Sequence, residues 1–381
     1  MRDGTHASPK YYSQGYPLVT SKNLTSAGLD FSNISLISEL DYKNINKRSR
    51  VDKGDILFGM IGTIGTPVMV HESNFAIKNV ALIKEREAVL NSFLVQLLKS
   101  PAFINYIRNE NVGGTQKFLS LNTIRNFRFS FPTSKEQAMV SRFLEKIDSL
   151  IAATQDKIDA LEQAKRALLQ RLFDQSWRFK GYSDPWEKRK LREVSDVRDG
   201  THASPKYYSQ GYPLVTSKNL TSAGLDFSNI SLISELDYKN INKRSRVDKG
   251  DILFGMIGTI GTPVMVHESN FAIKNVALIK EREAVLNSFL VQLLKSPAFI
   301  NYIRNENVGG TQKFLSLNTI RNFRFSFPTS KEQAMVSRFL EKIDSLIAAT
   351  QSRLSSLGII KKSPITGPFH LKRIVLRGKL R

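Results

Sequence analysis

The chain has 381 residues, of which 41% are hydrophobic, and its 56 basic and 34 acidic residues give a formal net charge of +22. This composition excludes an intrinsically disordered chain, and the absence of cysteine excludes a disulfide scaffold and thiolate metal sites. The basic excess predicts a polyanionic partner, either nucleic acid or an anionic membrane surface.

Nucleic acid is the favoured partner because the sequence carries no mark of a membrane protein. No apolar run approaches the roughly 18 residues needed to span a bilayer, and the segment from Met1 to Gly4 lacks the apolar core of a signal peptide. We therefore expect a cytoplasmic protein that binds DNA or RNA.

The first 132 residues predict a globular α+β domain. Short apolar runs such as Ile56 to Phe58 and Val68 to Val70 alternate with turn clusters, as strands of four to six residues do. One helical stretch, Val89 to Arg108, is interrupted at Ser100-Pro101. Gly59, Gly62 and Gly65 recur at intervals of three, which favours a bend or bulge over a dinucleotide-binding turn.

A long helix follows Pro132. Thr133 and Ser134 precede Glu136 and Gln137, the pattern of a capping box. Eight of the ten positions of the following seam are apolar, at the alternating spacings of four and three that are typical of a coiled coil. The seam comprises Val140, Leu144, Ile147, Ile151, Thr154, Ile158, Leu161, Lys165, Leu168 and Leu172.

The chain then repeats itself. Residues Arg2 to Gln155 recur letter for letter as Arg198 to Gln351, a unit far longer than the about 20 to 50 residues of a solenoid repeat. The second seam continues through Leu354 and Leu357, and Gly358 and Pro364 are expected to end it. Two identical binding faces in one chain suit a two-fold-symmetric partner, such as a palindromic nucleic acid.

The expected fold class is α+β, with two globular domains joined by long helices that form an antiparallel coiled coil. In the second repeat Leu191, Val194 and Val197 predict a short lead-in strand, which the first repeat lacks because it starts at Met1. The residues from Gly358 onward carry seven Lys or Arg and no acid, and we interpret them as a basic tail. The expected boundaries are 1–132 for the first domain, 133–175 for the first helix, 176–328 for the connector, lead-in strand and second domain, 329–357 for a shortened second helix, and 358–381 for the tail.

The sequence holds no recognisable catalytic machinery. It contains neither a phosphate-binding loop nor a dinucleotide fingerprint. His6, His71 and their copies have no carboxylates at metal-ligand spacing. We therefore expect no catalytic residue, no metal and no cofactor in this chain.

Polar loops supply candidate contacts to DNA. Lys22, Asn23, Gln116 and Lys117 are predicted to reach base edges, whereas the basic stretch from Lys43 to Arg50, interpreted as a loop whose cations lack neighbouring acids, is predicted to anchor phosphates. The alternative for each position is an ordinary solvated loop residue. The predicted DNA-binding residues are Thr5, His6, Lys10, Tyr11, Lys22, Asn23, Lys47, Arg48, Arg50, Gln116 and Lys117, with their copies Thr201, His202, Lys206, Tyr207, Lys218, Asn219, Lys243, Arg244, Arg246, Gln312 and Lys313.

A set of short motifs, in order and duplicated, resembles a known family. The motifs are Trp186 to Leu191 followed by Asp199 to His202, Gly250 to Leu253, Phe271 to Asn275, Phe131-Pro132 leading into Glu136-Gln137, and Lys165 to Gln170. With these motifs the chain resembles the specificity subunit of type I restriction-modification systems. Members of that family usually carry two different recognition domains, whereas the two domains are identical here.

The resemblance implies two target-recognition domains, each reading half of a split site in double-stranded DNA. It also implies docking onto two methyltransferase subunits and a restriction and translocase subunit, to which S-adenosylmethionine, ATP and Mg²⁺ would belong. Identical domains related by a two-fold axis would read an interrupted palindrome. Two alternatives stay open, namely a non-enzymatic protein-protein adaptor and an inactive, rearranged specificity subunit.

Overall fold

The computed structural model describes residues 1–62, 64–110, 118–258, 260–306, 314–362 and, for the backbone alone, 376–379. The chain forms two compact units. Unit 1 contains Met1–Ala153 and Leu354–Arg381, and unit 2 contains Thr154–Arg353. Each unit holds one repeat's globular domain together with parts of both long helices.

The elements of unit 1 follow the predicted α+β order. Its strands are β1 (Arg2–Asp3), β2 (Tyr16–Val19), β3 (Leu24–Thr25), β4 (Gly28–Leu29), β5 (Ser35–Ile37), β6 (Ile56–Gly59), β7 (Gly65–Met69), β8 (Ala76–Ile77), β9 (Val80–Ile83) and β10 (Arg128–Phe131). Its helices are α1 (Glu39–Ser49), α2 (Asn91–Leu98), α3 (Pro101–Glu110) and α4 (Leu121–Asn126), and the first long helix is α5 (Ser134–Phe173). A single 3₁₀ turn covers Ser21–Asn23.

Unit 2 repeats this order after an added lead-in. Its strands are β11 (Glu187–Lys190), β12 (Ser195–Asp199), β13 (Tyr212–Val215), β14 (Leu220–Thr221), β15 (Gly224–Leu225), β16 (Ser231–Ile233), β17 (Ile252–Gly255), β18 (Gly261–Met265), β19 (Ala272–Ile273), β20 (Val276–Glu281) and β21 (Arg324–Phe327). Its helices are α6 (Leu191–Val194), α7 (Glu235–Ser245), α8 (Asn287–Leu294), α9 (Pro297–Glu306) and α10 (Leu317–Asn322), followed by the second long helix α11 (Ser330–Lys362). The last strand, β22 (Leu376–Lys379), belongs to unit 1.

Each domain is built around a four-stranded antiparallel sheet, ordered β1-β9-β6-β7 in unit 1 and β12-β20-β17-β18 in unit 2. Alternate residues of β6 enter two cores. Ile56 and Phe58 pack with Phe103 of α3, while Leu57 packs with Val19 and Phe75 on the opposite face. Burial on both faces explains why β6 is a continuous apolar run rather than an alternating one.

The glycine spacing marks a bulged hairpin, as predicted. The pairing of β6 with β7 shifts register between Leu57 and Gly59. Gly62 in the connecting turn and Gly65 at the start of β7 have φ of 74° and 103°, values that glycine adopts without strain.

The prediction of a loop from Lys43 to Arg50 is wrong, because most of this stretch lies in α1. Ser38 caps the helix by accepting a hydrogen bond from the Asp41 amide at 3.1 Å, and Tyr42 and Ile45 pack against a small core. Acids lie in the first turn and bases in the last, which complements the helix dipole. Because α1 has few apolar residues, hydrophobic periodicity in the sequence did not reveal this helix.

The two long helices contact each other within each unit. In unit 2, Lys165 of α5 pairs with Asp344 of α11, and in unit 1, Asp148 of α5 pairs with Lys361 of α11. The later residue of α5 thus meets the earlier residue of α11, which is antiparallel pairing. All ten predicted seam positions of α5 are buried or half-buried.

The prediction that Gly358 ends the second helix is wrong, because α11 continues to Lys362. An internal glycine costs a helix only about 1 kcal/mol relative to alanine. At 33 residues α11 is seven residues shorter than the 40-residue α5, so the difference between them equals one heptad.

The predicted lead-in strand at Leu191 to Val197 is displaced. The structure places β11 just before it, a short helix over Leu191–Val194, and β12 after it. The tail of residues 358–381 is also more than a basic appendage, since it contains the last turn of α11 and the strand β22. β22 pairs antiparallel with β10 in unit 1, just as β11 pairs with β21 in unit 2.

Candidate nucleic-acid interface

Three polar loops of each domain meet at one end of the parallel strand pair β2 and β8. The loop after β1 is joined to the turn after β8 by a bridge between Thr5 and Lys78, and the Asn79 amide donates to the Thr5 carbonyl at 3.1 Å. The Lys78 amide donates at 2.9 Å to the carbonyl of Val19, which ends β2 two residues before the 3₁₀ turn begins. The main chain therefore fixes the relative positions of all three loops.

Gly4 is required by this close approach. A Cβ atom at this position would lie 2.3 Å from the carbonyl oxygen of Ile77, and the copy Gly200 meets Ile273 at the same distance. No side chain fits at that separation.

A network of side-chain contacts lies on the surface beside these loops. His6 Nε2 lies 2.8 Å from Asp3 Oδ2, and His6 Nδ1 lies 2.7 Å from Asn79 Oδ1. The other oxygen of Asp3 accepts a hydrogen bond from Arg48 at the end of α1, and Arg2 donates to the Arg48 carbonyl at 2.9 Å. The loop histidine and the helix arginine are thus held by one carboxylate.

The electrostatics of these contacts favour the charged forms of His6 and Asp3. Hydrogen bonds to Asp3 and then to Asn79 raise the pKa of His6 above its usual value. Burial acts to raise the pKa of Asp3, but the hydrogen bonds from His6 and Arg48 outweigh it, so this pKa is lowered. The copies His202, Asp199, Asn275 and Arg244 form the same contacts in unit 2.

A surface cavity of about 320 Å³ separates the His6 loop from α1. Its lining is Gly4, Thr5, Ala7, Pro9, Asp41, Asn44, Ile45, Arg48 and Ser49. The same cavity, also of about 320 Å³, recurs in unit 2 between the copies of these elements. Each domain therefore presents a copy of this cavity, lined in part by an arginine of the helix, Arg48 or Arg244.

Several predicted contact residues lie on or beside this surface. Lys10 and Tyr11 follow the cavity-lining loop, where Tyr11 is exposed and Lys10 Nζ lies 5.6 Å from the centre of the Tyr12 ring. Lys22 is exposed in the 3₁₀ turn, and Lys47 in the last turn of α1 donates to the Asn44 side chain at 3.0 Å. The copies Lys206, Tyr207, Lys218 and Lys243 have the same environments.

The prediction that the cations from Lys43 to Arg50 lack neighbouring acids is wrong. Lys43 pairs with Glu39 at 2.7 Å, Arg48 pairs with Asp3, and Arg50 pairs with Asp52 at 3.1 Å. Arg246 and Arg244 are paired in the same way in the second repeat. Glu39 and Asp52 lie four and two residues from their partners and were visible in the sequence, whereas Asp3, the partner of Arg48, is a distant residue brought near by the fold.

The placement of Asn23 does not support a role in reading bases. The side chain is buried, accepts hydrogen bonds from the amide and hydroxyl of Thr20 at 3.0 Å, and donates to the Asp30 carbonyl at 3.1 Å. Asn219 makes the same bonds to Thr216 and Asp226. Both asparagines fasten the 3₁₀ turn instead. Gln116, Lys117, Gln312 and Lys313 lie outside the described residues.

Sequence reasoning missed two members of this surface, Lys78 and Asn79. Lys78 Nζ donates to the Ser8 hydroxyl at 2.6 Å, and Asn79 holds a left-handed φ of 54°. Asp3, three residues before His6, was a further available signal, since the two side chains form an ion pair. Among the described residues no group of three His, Cys, Asp or Glu could hold a metal ion.

The family model for the type I restriction modification DNA specificity domain matches this chain twice, over residues 6–163 and 183–357. The chain belongs to this family. Each match covers most of one globular domain and most of the long helix that follows it, so the family model recurs with the internal repeat.

Curated proteins similar to this chain include specificity subunits of type I restriction enzymes. It is 21% identical over 358 residues to the type I restriction enzyme MjaVIII specificity subunit of Methanocaldococcus jannaschii, which covers 89% of this chain and 82% of that protein. It is 22% identical over 351 residues to the EcoBI specificity subunit of Escherichia coli, covering 83% of this chain and 73% of that protein.

Solved structures show the same fold. The S subunit of a type I restriction-modification system from M. genitalium aligns with a TM-score of 0.60 at 14% identity, covering 94% of this chain and 90% of that one. A chain from a structural study of complex assembly in a type I R-M system aligns with a TM-score of 0.54 at 15% identity, covering 93% and 90%. These structures confirm the expected mixed architecture of two domains with long helices.

Proposed function

We propose that this chain is the DNA-recognition subunit of a type I restriction-modification complex and that it reads two identical half-sites. The observation that carries the proposal is the exact duplication of the cavity-bearing surface, with Arg48 in one domain and Arg244 in the other, inside a chain that belongs to the specificity family. Identical surfaces must prefer identical base sequences. The antiparallel helix pairing expected from sequence makes the two half-sites inverted repeats.

Within each domain, the loop from Thr5 to Tyr11, the exposed Lys22 and the basic end of α1 face DNA in this proposal. Arg48 is exposed yet held by Asp3, so its guanidinium is oriented before DNA arrives. An oriented guanidinium loses less conformational freedom on binding a phosphate or a guanine edge than a free one does. The net charge of +22 supplies a long-range electrostatic attraction between the chain and the phosphates of DNA.

The chain itself is non-catalytic in this account. Two methyltransferase subunits and a restriction and translocase subunit supply the chemistry, with S-adenosylmethionine, ATP and Mg²⁺ bound to those partners. The complex works in the cytoplasm. Over the described residues no helix is both long and apolar enough to cross a membrane.

Salt-dependent binding to duplex DNA tests the proposal against a protein-protein adaptor. With purified chain and its methyltransferase partner, the affinity for a labelled duplex should fall steeply as salt rises, because cations of the protein displace ions condensed on phosphates. Binding that is absent at low salt, or that is insensitive to salt and equal for all sequences, would contradict the proposal.

A further inference from the structure

Helix α1 presents one exposed face, which we call the α1 face. It consists of Leu40, Lys43, Asn44, Lys47 and Arg48, all of which are exposed. These residues follow one another at intervals of one, three and four positions, so they align along one side of the helix. In unit 2, α7 exposes the copies Leu236, Lys239, Asn240, Lys243 and Arg244 in the same way.

The opposite side of α1 is fixed to the domain. Tyr42 stacks on Tyr16 of β2, with ring centres 4.1 Å apart and ring planes at 12°, and Ile45 packs against the same small core. Ser38 caps the first turn, and in the last turn the Ser49 hydroxyl donates to the Ile45 carbonyl at 3.1 Å. The orientation of the α1 face is therefore set before any ligand binds, which lowers the entropic cost of binding.

Charge is distributed unevenly along the α1 face. Lys47 and Arg48 lie in the last turn of the helix. The two acids of the first turn are engaged within the domain. Glu39 pairs with Lys43 at 2.7 Å, and Asp41 accepts a hydrogen bond from the hydroxyl of the capping serine at 2.7 Å. The face therefore combines a cationic end with an apolar and an amide side chain.

The dimensions of α1 suit the major groove of duplex DNA. An α-helix with its side chains is about 10–12 Å wide, and the major groove is about 12 Å wide. A single exposed leucine is common on protein surfaces, so the 69% exposure of Leu40 indicates nothing by itself. Its place on one face with Asn44 and two cations is more specific. Asparagine pairs with the edge of adenine, an apolar side chain contacts the thymine methyl group, and cations bind phosphates.

The side chain of Asn44 is positioned for such a pairing. Its Oδ1 atom accepts a hydrogen bond from Lys47 Nζ at 3.0 Å, and a second lone pair of the same oxygen can accept from the amino group of adenine. Its Nδ2 atom can donate to adenine N7. Asn240 and Lys243 make the same contact at 3.1 Å in unit 2.

We propose, on the basis of the proposed function, that α1 lies in the major groove, where Asn44 contacts an adenine and Leu40 contacts the methyl group of a thymine. Lys47 and Arg48 bind the adjacent phosphates. Leu40 and Asn44 are four residues apart, which is about 6 Å along the helix and about two base-pair steps of DNA. The contacted adenine and thymine therefore lie one or two base pairs apart in each half-site, and α7 reads the same bases in the other half.

Modified bases test the two contacts with the unaltered chain in complex with its methyltransferase partner. Sequencing of methylated DNA first gives the half-site. At one thymine, replacement of thymidine by deoxyuridine removes only the methyl group and should weaken binding. At one adenine, 7-deazaadenine removes only the N7 acceptor and should also weaken binding. Equal affinity for the unmodified duplex and for every singly modified duplex would overturn the proposal.

Substitution in one repeat only assigns these effects to residues, because the unchanged repeat serves as a control in the same molecule. Asn44→Ala should weaken binding about 5- to 150-fold and should remove the preference for adenine at one position of one half-site. Leu40→Ser should make binding insensitive to deoxyuridine at one position of that half-site. Leu346→Ser, which replaces an exposed leucine of α11, should change neither preference.

The outcomes separate this assignment from the proposed function. Unchanged base preferences in Asn44→Ala and Leu40→Ser, in a wild-type chain that does select its site, would reject the role of α1 and leave DNA recognition by the chain intact. A Leu40→Ser variant that selects DNA normally but no longer binds methyltransferase would assign Leu40 to a protein contact and also reject the proposal. A wild-type complex without any sequence preference would overturn the proposed function itself.

Discussion

Lys165 of α5 forms an ion pair with Asp344 of α11, and the residues that lie 196 positions away from each, Lys361 and Asp148, form the same pair in unit 1. Lys361 lies beyond the end of the exact repeat. The two antiparallel contacts are therefore equivalent, although the sequences around Lys165 and Lys361 differ.

This relationship predicts a measurable contribution to stability. Asp344→Asn should lower the free energy of unfolding by about 1 kcal/mol, since the aspartate is a third exposed and solvent screens the pair. Ser345→Ala, at an exposed position beside it, should have little effect. Denaturant unfolding measures both, and equal stability of the two variants would show that the pair contributes nothing.

The pH dependence of the Asp344 contribution has a definite sign. Burial acts to raise the pKa of Asp344, but the hydrogen bond from Lys165 and the charge of Lys295 outweigh it, so the pKa is lowered from its ordinary value of 3.8. The contribution is therefore complete above about pH 3.8 and is lost as pH falls through the lower folded pKa. The difference between wild type and Asp344→Asn should accordingly shrink only in strong acid.

The contribution of His6 to stability is expected to depend on pH in the opposite direction, at pH values near neutral. Its pKa is raised above 6.5 by Asp3 and Asn79, so the charged ring stabilises the loop fully below pH 6.5, and that stabilisation is lost as pH rises through the higher folded pKa. An NMR titration of His6 in a His202→Gln background should show a midpoint above 6.5. Asp3→Asn should move this midpoint down, and a wild-type midpoint at or below 6.5 would contradict the contact.

Asn23 is expected to matter for stability rather than for base selection. Asn23→Ala with Asn219→Ala should lower the free energy of unfolding by about 1–3 kcal/mol for each domain, because buried backbone groups lose their partners. The neighbouring exposed pair, Lys22→Ala with Lys218→Ala, should leave stability nearly unchanged. Full stability of the asparagine variant, together with lost discrimination at a single base, would restore Asn23 to the DNA-reading set.

Arg48 and Arg244 should contribute to the salt dependence of binding. Replacing both by alanine should weaken binding, and loss of one phosphate contact per domain would reduce the slope of log affinity against log salt by about 2. Lys146→Ala with Lys342→Ala removes two exposed cations from the long helices and serves as the charge-matched control. An equal change in slope from both double variants would show that Arg48 acts only through net charge.

The structural features that could be predicted from the sequence are those that local periodicity and composition determine. The α5 seam was correct because burial of one helix face imposes a spacing that nearby residues display. Asn23 was assigned to the wrong environment because a polar residue after a strand can face either way, and the Asp30 carbonyl that holds it inward is a tertiary contact. The pairing of β22 with β10 joins residues separated by about two thirds of the chain length. No local sequence pattern therefore predicts it.

The most direct test of the central claim is the methylation pattern of DNA in cells that carry this chain with its methyltransferase partner. Two identical recognition domains predict one methylated motif, made of two half-sites that are the reverse complements of each other, separated by a gap of fixed length. A methylated motif with two unlike halves would contradict the account, because identical loop surfaces cannot prefer different bases.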